Sequence, residues 1–143
     1  MIDDIMVYCR SGEKSMYPRN LKYTRTHEWI KVDKDIGVVG ITDFAVKKLT
    51  DLVYIELPPV EEKLTRGSPF GSIESVKAVA DLNSPVTGKV IEIHQELSHK
   101  IDLVSKDPYG EGWMIKVKIE NPEELNSLMG PDEYEEWIKQ EEK

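Results

Sequence analysis

The order of apolar and polar positions predicts a chain of short strands that ends in helices. His27-Glu28-Trp29-Ile30-Lys31-Val32 alternates at the period of a half-buried strand. Asp33-Lys34-Asp35 supplies a turn, and Ile36-Gly37-Val38-Val39-Gly40-Ile41 continues as a second strand. Glycine inside that strand predicts a bulge or a close backbone approach. Thr42-Asp43 offers a helix cap, and Phe44, Val46 and Leu49 fall near helical spacing, so a short helix is expected over 43–49. Leu52-Val53-Tyr54-Ile55-Glu56-Leu57 is a strand ended by Pro58-Pro59, because proline has no N–H for a ladder. Lys63 to Gly67 is a turn-rich link. Phe70 to Ile73 and Val79 to Leu82 then flank a short polar break and read as a hairpin.

Val90 to His94 is a further strand, residues 95–111 read as loop with the strongest turn at Asp107-Pro108-Tyr109-Gly110, and Trp113 to Ile119 is the last strand. After it the period changes. Asn121-Pro122 starts a helix, with Asn121 as its cap, proline at the first helical position, and Leu125 and Leu128-Met129 on one face. Gly130-Pro131 stops it. A second helix over 132–140 carries Tyr134, Trp137 and Ile138 on one side. Its acidic run reads as a solvated face. Many short strands followed by helices predict an α+β domain, mainly β, built on a small β-sandwich. Residues 1–20 read as an N-terminal extension, since Arg10-Ser11-Gly12-Glu13-Lys14-Ser15 is polar and holds a glycine.

Length and charge narrow the function classes. At 143 residues the prior is one domain, and 39% hydrophobic with 32% charged residues allows a modest core under a solvated surface. A net charge of −8 argues against nucleic acid and would repel an anionic membrane surface. No apolar run is long enough to span a bilayer. The first residues carry acids where a secretory signal needs bases, so a cytoplasmic location is expected. The single cysteine, Cys9, excludes an internal disulfide framework and fits a reducing compartment. Cys9 reads first as an inert thiol in a small apolar patch; Arg10 and Lys14 could make it reactive.

Catalytic patterns are scarce. His27, His94 and His99 share no metal-ligand spacing with one another or with Cys9, and the His27-Glu28 pair lacks the second histidine of a zinc protease, so no metal centre is expected. No phosphate-cradling glycine loop and no nucleophile elbow occur. Tyr109-Gly110-Glu111-Gly112-Trp113 precedes a strand and reads as a turn. No catalytic residue is assigned.

One residue of the hairpin has no structural task. Lys77 stands at the tip of Gly71-Ser72-Ile73-Glu74-Ser75-Val76-Lys77-Ala78-Val79-Ala80-Asp81, too far from its base to pack. Its ordinary reading is a solvated surface lysine. The alternative is an acylation site, where an enzyme reaches an exposed amine and amide formation removes its charge. Glu74 and Asp81 nearby would serve recognition by the modifying enzyme or a partner.

The words Glu74-Ser75-Val76-Lys77-Ala78, Asp81, Ser84-Pro85 and Thr87-Gly88-Lys89-Val90 resemble the lipoyl-lysine hairpin of the glycine cleavage system H-protein family. Further landmarks are Leu21-Lys22-Tyr23-Thr24 with His27-Glu28-Trp29, Gly40-Ile41-Thr42-Asp43, Val53 to Pro58, and Asp107 to Trp113. The resemblance runs from about Leu21 to Ile138 and makes 21–143 an H-protein-like lipoyl carrier domain. It implies a barrel-sandwich hybrid, as in lipoyl and biotinyl domains, with a short helix after the second strand and helices at the C-terminus. It implies lipoic acid attached covalently to Lys77, and a carrier that acts through partner enzymes and not through side-chain catalysis. The implied partners are glycine decarboxylase, aminomethyltransferase, dihydrolipoyl dehydrogenase and a lipoate ligase or octanoyltransferase. In the family the loaded arm folds back into a cleft, and Thr26, Glu28 and Asp81 match that cleft; carboxylates there suit a cationic amine. The chain departs from the family at Lys48, where histidine is frequent, His94 for asparagine, Ile101 for proline and Lys89 for glutamate. A carrier of the same fold in a heterodisulfide-reductase-like sulfur-oxidation pathway, with Cys9 as a working thiol, and an unmodified interaction or lipoate-relay module are the alternatives.

Overall fold

A computed structural model describes residues 17–141 of the chain. Cys9 and most of the expected extension lie outside the described residues. The order of elements is β1 (Lys22–Tyr23), β2 (Glu28–Asp33), β3 (Ile36–Ile41), α1 (Asp43–Leu49), β4 (Leu52–Glu56), β5 (Lys63–Leu64), β6 (Pro69–Ser75), β7 (Val79–Asn83), β8 (Gly88–Ile93), α2 (Asp102–Lys106), β9 (Ile115–Ile119) and α3 (Pro131–Glu141). Turns of 3₁₀ helix cover Gln95–Ser98 and Pro122–Ser127.

The strands form two antiparallel sheets. One has six strands in the order β1-β2-β3-β9-β8-β5, and the other has three in the order β4-β6-β7. Alternation along the strands explains how they close on each other. Ile30, Val39, Val90, Ile115 and Val117 from the larger sheet share one buried apolar cluster with Ile55, Ile73 and Leu82 from the smaller. The two-sheet sandwich expected from the pattern is therefore what the molecule builds. The short helix follows the third strand and not the second, because Lys22–Tyr23 adds a strand too short to show a period.

The strand glycines act by close approach. A Cβ on Gly40 would lie 2.7 Å from the Trp29 ring, so this glycine makes room for a side chain while the β2–β3 register runs without a shift. A bulge is absent there. A Cβ on Gly71 would meet the Glu56 carbonyl oxygen at 2.1 Å, so only glycine lets β6 pair with β4 at this point.

Residues 95–111 are more ordered than the loop expected for them. Leu97 and Val104 are fully buried and anchor the 3₁₀ turn and α2 to the core. No side chain caps α2, whose N-cap position is Ile101, which is why no start signal is visible in its sequence. The segment after Asn121 is 3₁₀ and not α; the Asn121 side chain does accept the Glu123 N–H at 3.3 Å. Pro131 does not end a helix but begins α3, the position that its missing N–H permits.

α3 is held against the β1–β2 corner. Tyr134 stacks on Tyr23 with centroids 4.8 Å apart, and Tyr17 meets Tyr134 edge-on at 5.1 Å. Arg19 pairs with Asp132 at 3.0 Å. The described end of the extension, residues 17–20, is thus packed on the C-terminal helix.

Candidate functional site

The β6–β7 hairpin puts Lys77 at an apex. The ladder runs from Ser72 opposite Asp81 to Glu74 opposite Val79. Ser75 N–H then donates to the Ala78 carbonyl at 2.7 Å, and Ala78 N–H donates to the Ser75 hydroxyl oxygen at 3.1 Å. Tight hairpin turns usually need a positive φ, hence glycine or asparagine, at their centre. Val76 and Lys77 have neither that residue type nor a positive φ. The buried Ser75 hydroxyl completes the turn in their place. Val76 N–H donates to the Asp51 carbonyl at 2.9 Å, which ties the tip to the start of β4.

Lys77 is exposed, and among the described residues it makes no hydrogen bond and no ion pair. Its surroundings are apolar for a surface: Val76 is 73% exposed, Val79 66% and Tyr54 55%. Glu74 and Asp81 stand on the outer face of the same sheet, since their strand neighbours Ile73 and Leu82 point into the core. Neither carboxylate is paired with Lys77.

Glu28 has the opposite setting. It is fully buried, at the start of β2. Thr24 donates its hydroxyl to Oε1 at 2.6 Å, the Thr26 hydroxyl donates to the same oxygen, and Asn83 N–H donates to Oε2 at 3.0 Å. Burial pushes this carboxyl above the usual glutamate range, and the three donors pull the other way. The threonines reach Glu28 because the chain reverses at His27, which adopts φ +76°. His27 N–H donates to the Thr24 carbonyl at 3.2 Å, and Thr24 N–H donates to the Glu28 carbonyl at 2.9 Å. A non-glycine residue in this region needs support. His27 has it on both ring nitrogens: Nδ1 lies 2.8 Å from the Tyr134 hydroxyl and Nε2 2.8 Å from Glu141. Burial outweighs Glu141 and lowers the imidazole pKa.

A cleft of about 630 Å³ opens over this corner. Thr24, Thr26 and Glu28 line one side, Asn83 to Pro85 the floor of the small sheet, and Met129 and Trp137 the side of α3. Trp137 is fixed by its Nε1–H, which donates to the Arg25 carbonyl at 3.0 Å. The fold therefore brings Thr26 and Glu28 into one cleft. It leaves Asp81 outside the lining, on the outer face two residues along β7 from Asn83. Thr24, Asn83 and Trp137 also line the cleft, and no sequence motif points to them as cleft residues; Asn83 reaches Glu28 through its backbone N–H.

The positions that departed from the family pattern have structural occupations. Lys48 lies 5.3 Å over the Phe44 ring, and Lys89 pairs with Glu61 at 3.1 Å. His94 is buried and stacked on Trp113 with centroids 4.4 Å apart. Among the described residues, no helix is long and apolar enough to cross a membrane.

Comparison with known proteins places this geometry. The profile of the family described as Glycine cleavage H-protein matches residues 21–141. The chain is 54% identical over 127 residues to a glycine cleavage system H protein of Carboxydothermus hydrogenoformans, covering 89% of this chain and 98% of that one. It is 46% identical over 121 residues to the mitochondrial glycine cleavage system H protein of Flaveria trinervia, covering 85% of this chain and 73% of that one. Among solved structures, a glycine cleavage system H protein from Mycobacterium marinum superposes with a TM-score of 0.78 at 32% identity, covering 89% of this chain and all of that one.

Proposed function

The chain belongs to the glycine cleavage H-protein family, and from that premise we propose that Lys77 is the residue through which it carries lipoate in the glycine cleavage system. The observation that carries the assignment is the setting of Lys77: an exposed amine without a partner among the described residues, on an apex closed by a buried serine hydroxyl. An amine free of ion pairs is open to a lipoate ligase or octanoyltransferase, and Glu74 and Asp81 flank it as recognition groups. The bound group supplies the group-carrying and redox chemistry at its dithiol.

The chain's own residues supply position. A stiff turn fixes the root of the arm while leaving the arm itself free, which raises its local concentration at each partner site. Those partners are glycine decarboxylase, aminomethyltransferase and dihydrolipoyl dehydrogenase, and the cargo between the first two is an aminomethyl group. The protein itself acts as a carrier, without a catalytic side chain. A reducing cytoplasm, which the single cysteine fits, is part of the same reading.

The cleft supplies shelter. Glu28 offers carboxyl oxygens already oriented by Thr24, Thr26 and Asn83; burial favours its neutral form, and a cationic amine brought to it would favour the anion. Trp137 and Met129 would exclude water from the opposite wall. Asp81, on the outer face, serves the approach of partners and not the cleft.

The test is glycine-dependent bicarbonate exchange by glycine decarboxylase, with the lipoylated protein as the only carrier. Saturable exchange is expected. A fully lipoylated protein that supports no exchange would exclude glycine cleavage as its pathway.

A further inference from the structure

A second cluster of chemistry-bearing side chains lies outside the cleft. One ligand atom each from His94, Glu96 and Glu111 falls within 4.8 Å of the other two, and none of the three residues lines the cleft. They come from two local structures, the start of a 3₁₀ turn and the turn before β9. His94 follows β8, Glu96 sits in the 3₁₀ turn Gln95–Ser98, and Glu111 sits in the turn before β9. Spacing along the sequence does not reveal them, because the turn over 107–112 is what returns Glu111 to His94.

The histidine is prepared as a ligand. Its side chain is only 9% exposed, and its ring lies 5° from parallel with Trp113. Nδ1 is 2.8 Å from the Trp113 carbonyl oxygen. A carbonyl can only accept, so Nδ1 carries a proton, and in the neutral ring Nε2 keeps its lone pair. Metal-ligating histidines commonly have this outer contact, which fixes ring and tautomer. Nε2 faces Glu96 Oε1 at 3.4 Å.

Two acceptors that face each other need a positive charge between them, either a proton on Nε2 or a cation. The third group decides for the cation. A proton shared by His94 and Glu96 gives Glu111 no role, whereas three ligand atoms within 4.8 Å of one another suit a metal. Ligands 2.0–2.1 Å from a tetrahedral ion stand roughly 3.3–3.4 Å from one another. The His94–Glu96 edge already has that length. Glu111 is an exposed side chain on a turn fixed by its own N–H, which donates to Asp107 Oδ2 at 3.0 Å, so its carboxylate can close the remaining gap by rotation. Glu96 Oε2 is engaged by Lys100 at 3.4 Å, which leaves Oε1 for the ion. Two carboxylates balance a dication.

The geometry points to a divalent transition-metal site of the zinc type, with His94 Nε2, Glu96 and Glu111 as ligands and water in the fourth position. Its occupation joins the 3₁₀ turn after β8 to the turn before β9 and stabilises the folded chain by mass action.

The experiment is calorimetric titration of the full chain with zinc chloride, with magnesium chloride in parallel. Zinc binding at one saturable site and weak or absent magnesium binding are expected. Glu96→Gln and Glu111→Gln alter exposed side chains and leave the fold intact, and each should weaken zinc about tenfold or more. His94→Asn should abolish binding, with circular dichroism checking its fold; the two glutamine variants carry the test if it does not fold. Cys9→Ser should bind zinc as the parent does. Absence of saturable zinc binding, equal affinity for magnesium, unchanged binding in the Glu96→Gln, Glu111→Gln double variant, or loss of binding in Cys9→Ser would each overturn the site.

Discussion

β7 separates two charged groups that are treated in opposite ways. Two residues before its start stands Lys77, exposed and without a partner among the described residues. At its last residue, Asn83, a backbone N–H reaches Glu28, which is buried and held by three donors. The four rises of this five-residue strand, at about 3.3 Å each, set its first and last residues roughly 13 Å apart. The two ends differ in what the fold holds fixed. The proposed attachment amine is left free, and the fold rigidifies only its root. The Glu28 carboxyl is oriented in advance by its three donors and shielded by burial.

The largest effect expected is from Lys77→Arg. It should abolish lipoylation and every carrier activity, while thermal unfolding stays within about 0.5 kcal/mol of the parent, as for a surface substitution. Next is Gly71→Ala, which tests the frame of the hairpin. Its Cβ would collide with the Glu56 carbonyl, and a loss of about 3 kcal/mol in denaturant unfolding is expected. Glu28→Ala removes the acceptor of two hydroxyls and a backbone N–H. About 2 kcal/mol of stability should be lost, and the loaded arm should release its amine on the order of tenfold faster, with modification of Lys77 unchanged. Equal damage to modification would break the division between the two ends.

Ser75→Ala sharpens the claim that a hydroxyl closes the turn. It should lower stability by about 1 kcal/mol and slow acylation of Lys77 without preventing it. The smallest effect concerns pH. The His27 imidazole pKa is lowered in the folded chain, so folding favours its neutral form. Its contribution is present above the unfolded value of about 6.5 and is lost as pH falls below it. Stability measured against pH should fall less steeply below that point in His27→Gln than in the parent.

Much of this was legible in the sequence for physical reasons. β9 alternates cleanly and β2 well enough to be read, β3, β4, β6 and β7 are apolar runs bounded by turn residues, and α1 has both a cap and a period, so these elements announce themselves. Lys77 could be singled out because a hairpin tip leaves a lysine nothing to pack against. The cleft was less legible. Thr26 and Glu28 are visible by resemblance, but Glu28 reads as easily as a surface acid, and its burial depends on Asn83 from a distant strand and on α3 as the facing wall. α2 was missed because it has no capping side chain and only five residues. The His94, Glu96 and Glu111 cluster was missed because a turn, and not a spacing, assembles it.

The most direct test of the account is the intact mass of the protein after incubation with an octanoyltransferase or lipoate ligase, followed by peptide mapping of the added group. One acyl addition per chain, located on Lys77 and missing from Lys77→Arg, is the expected result. A chain that keeps its unmodified mass, or one that is acylated at another lysine such as Lys89 or Lys63, would contradict it.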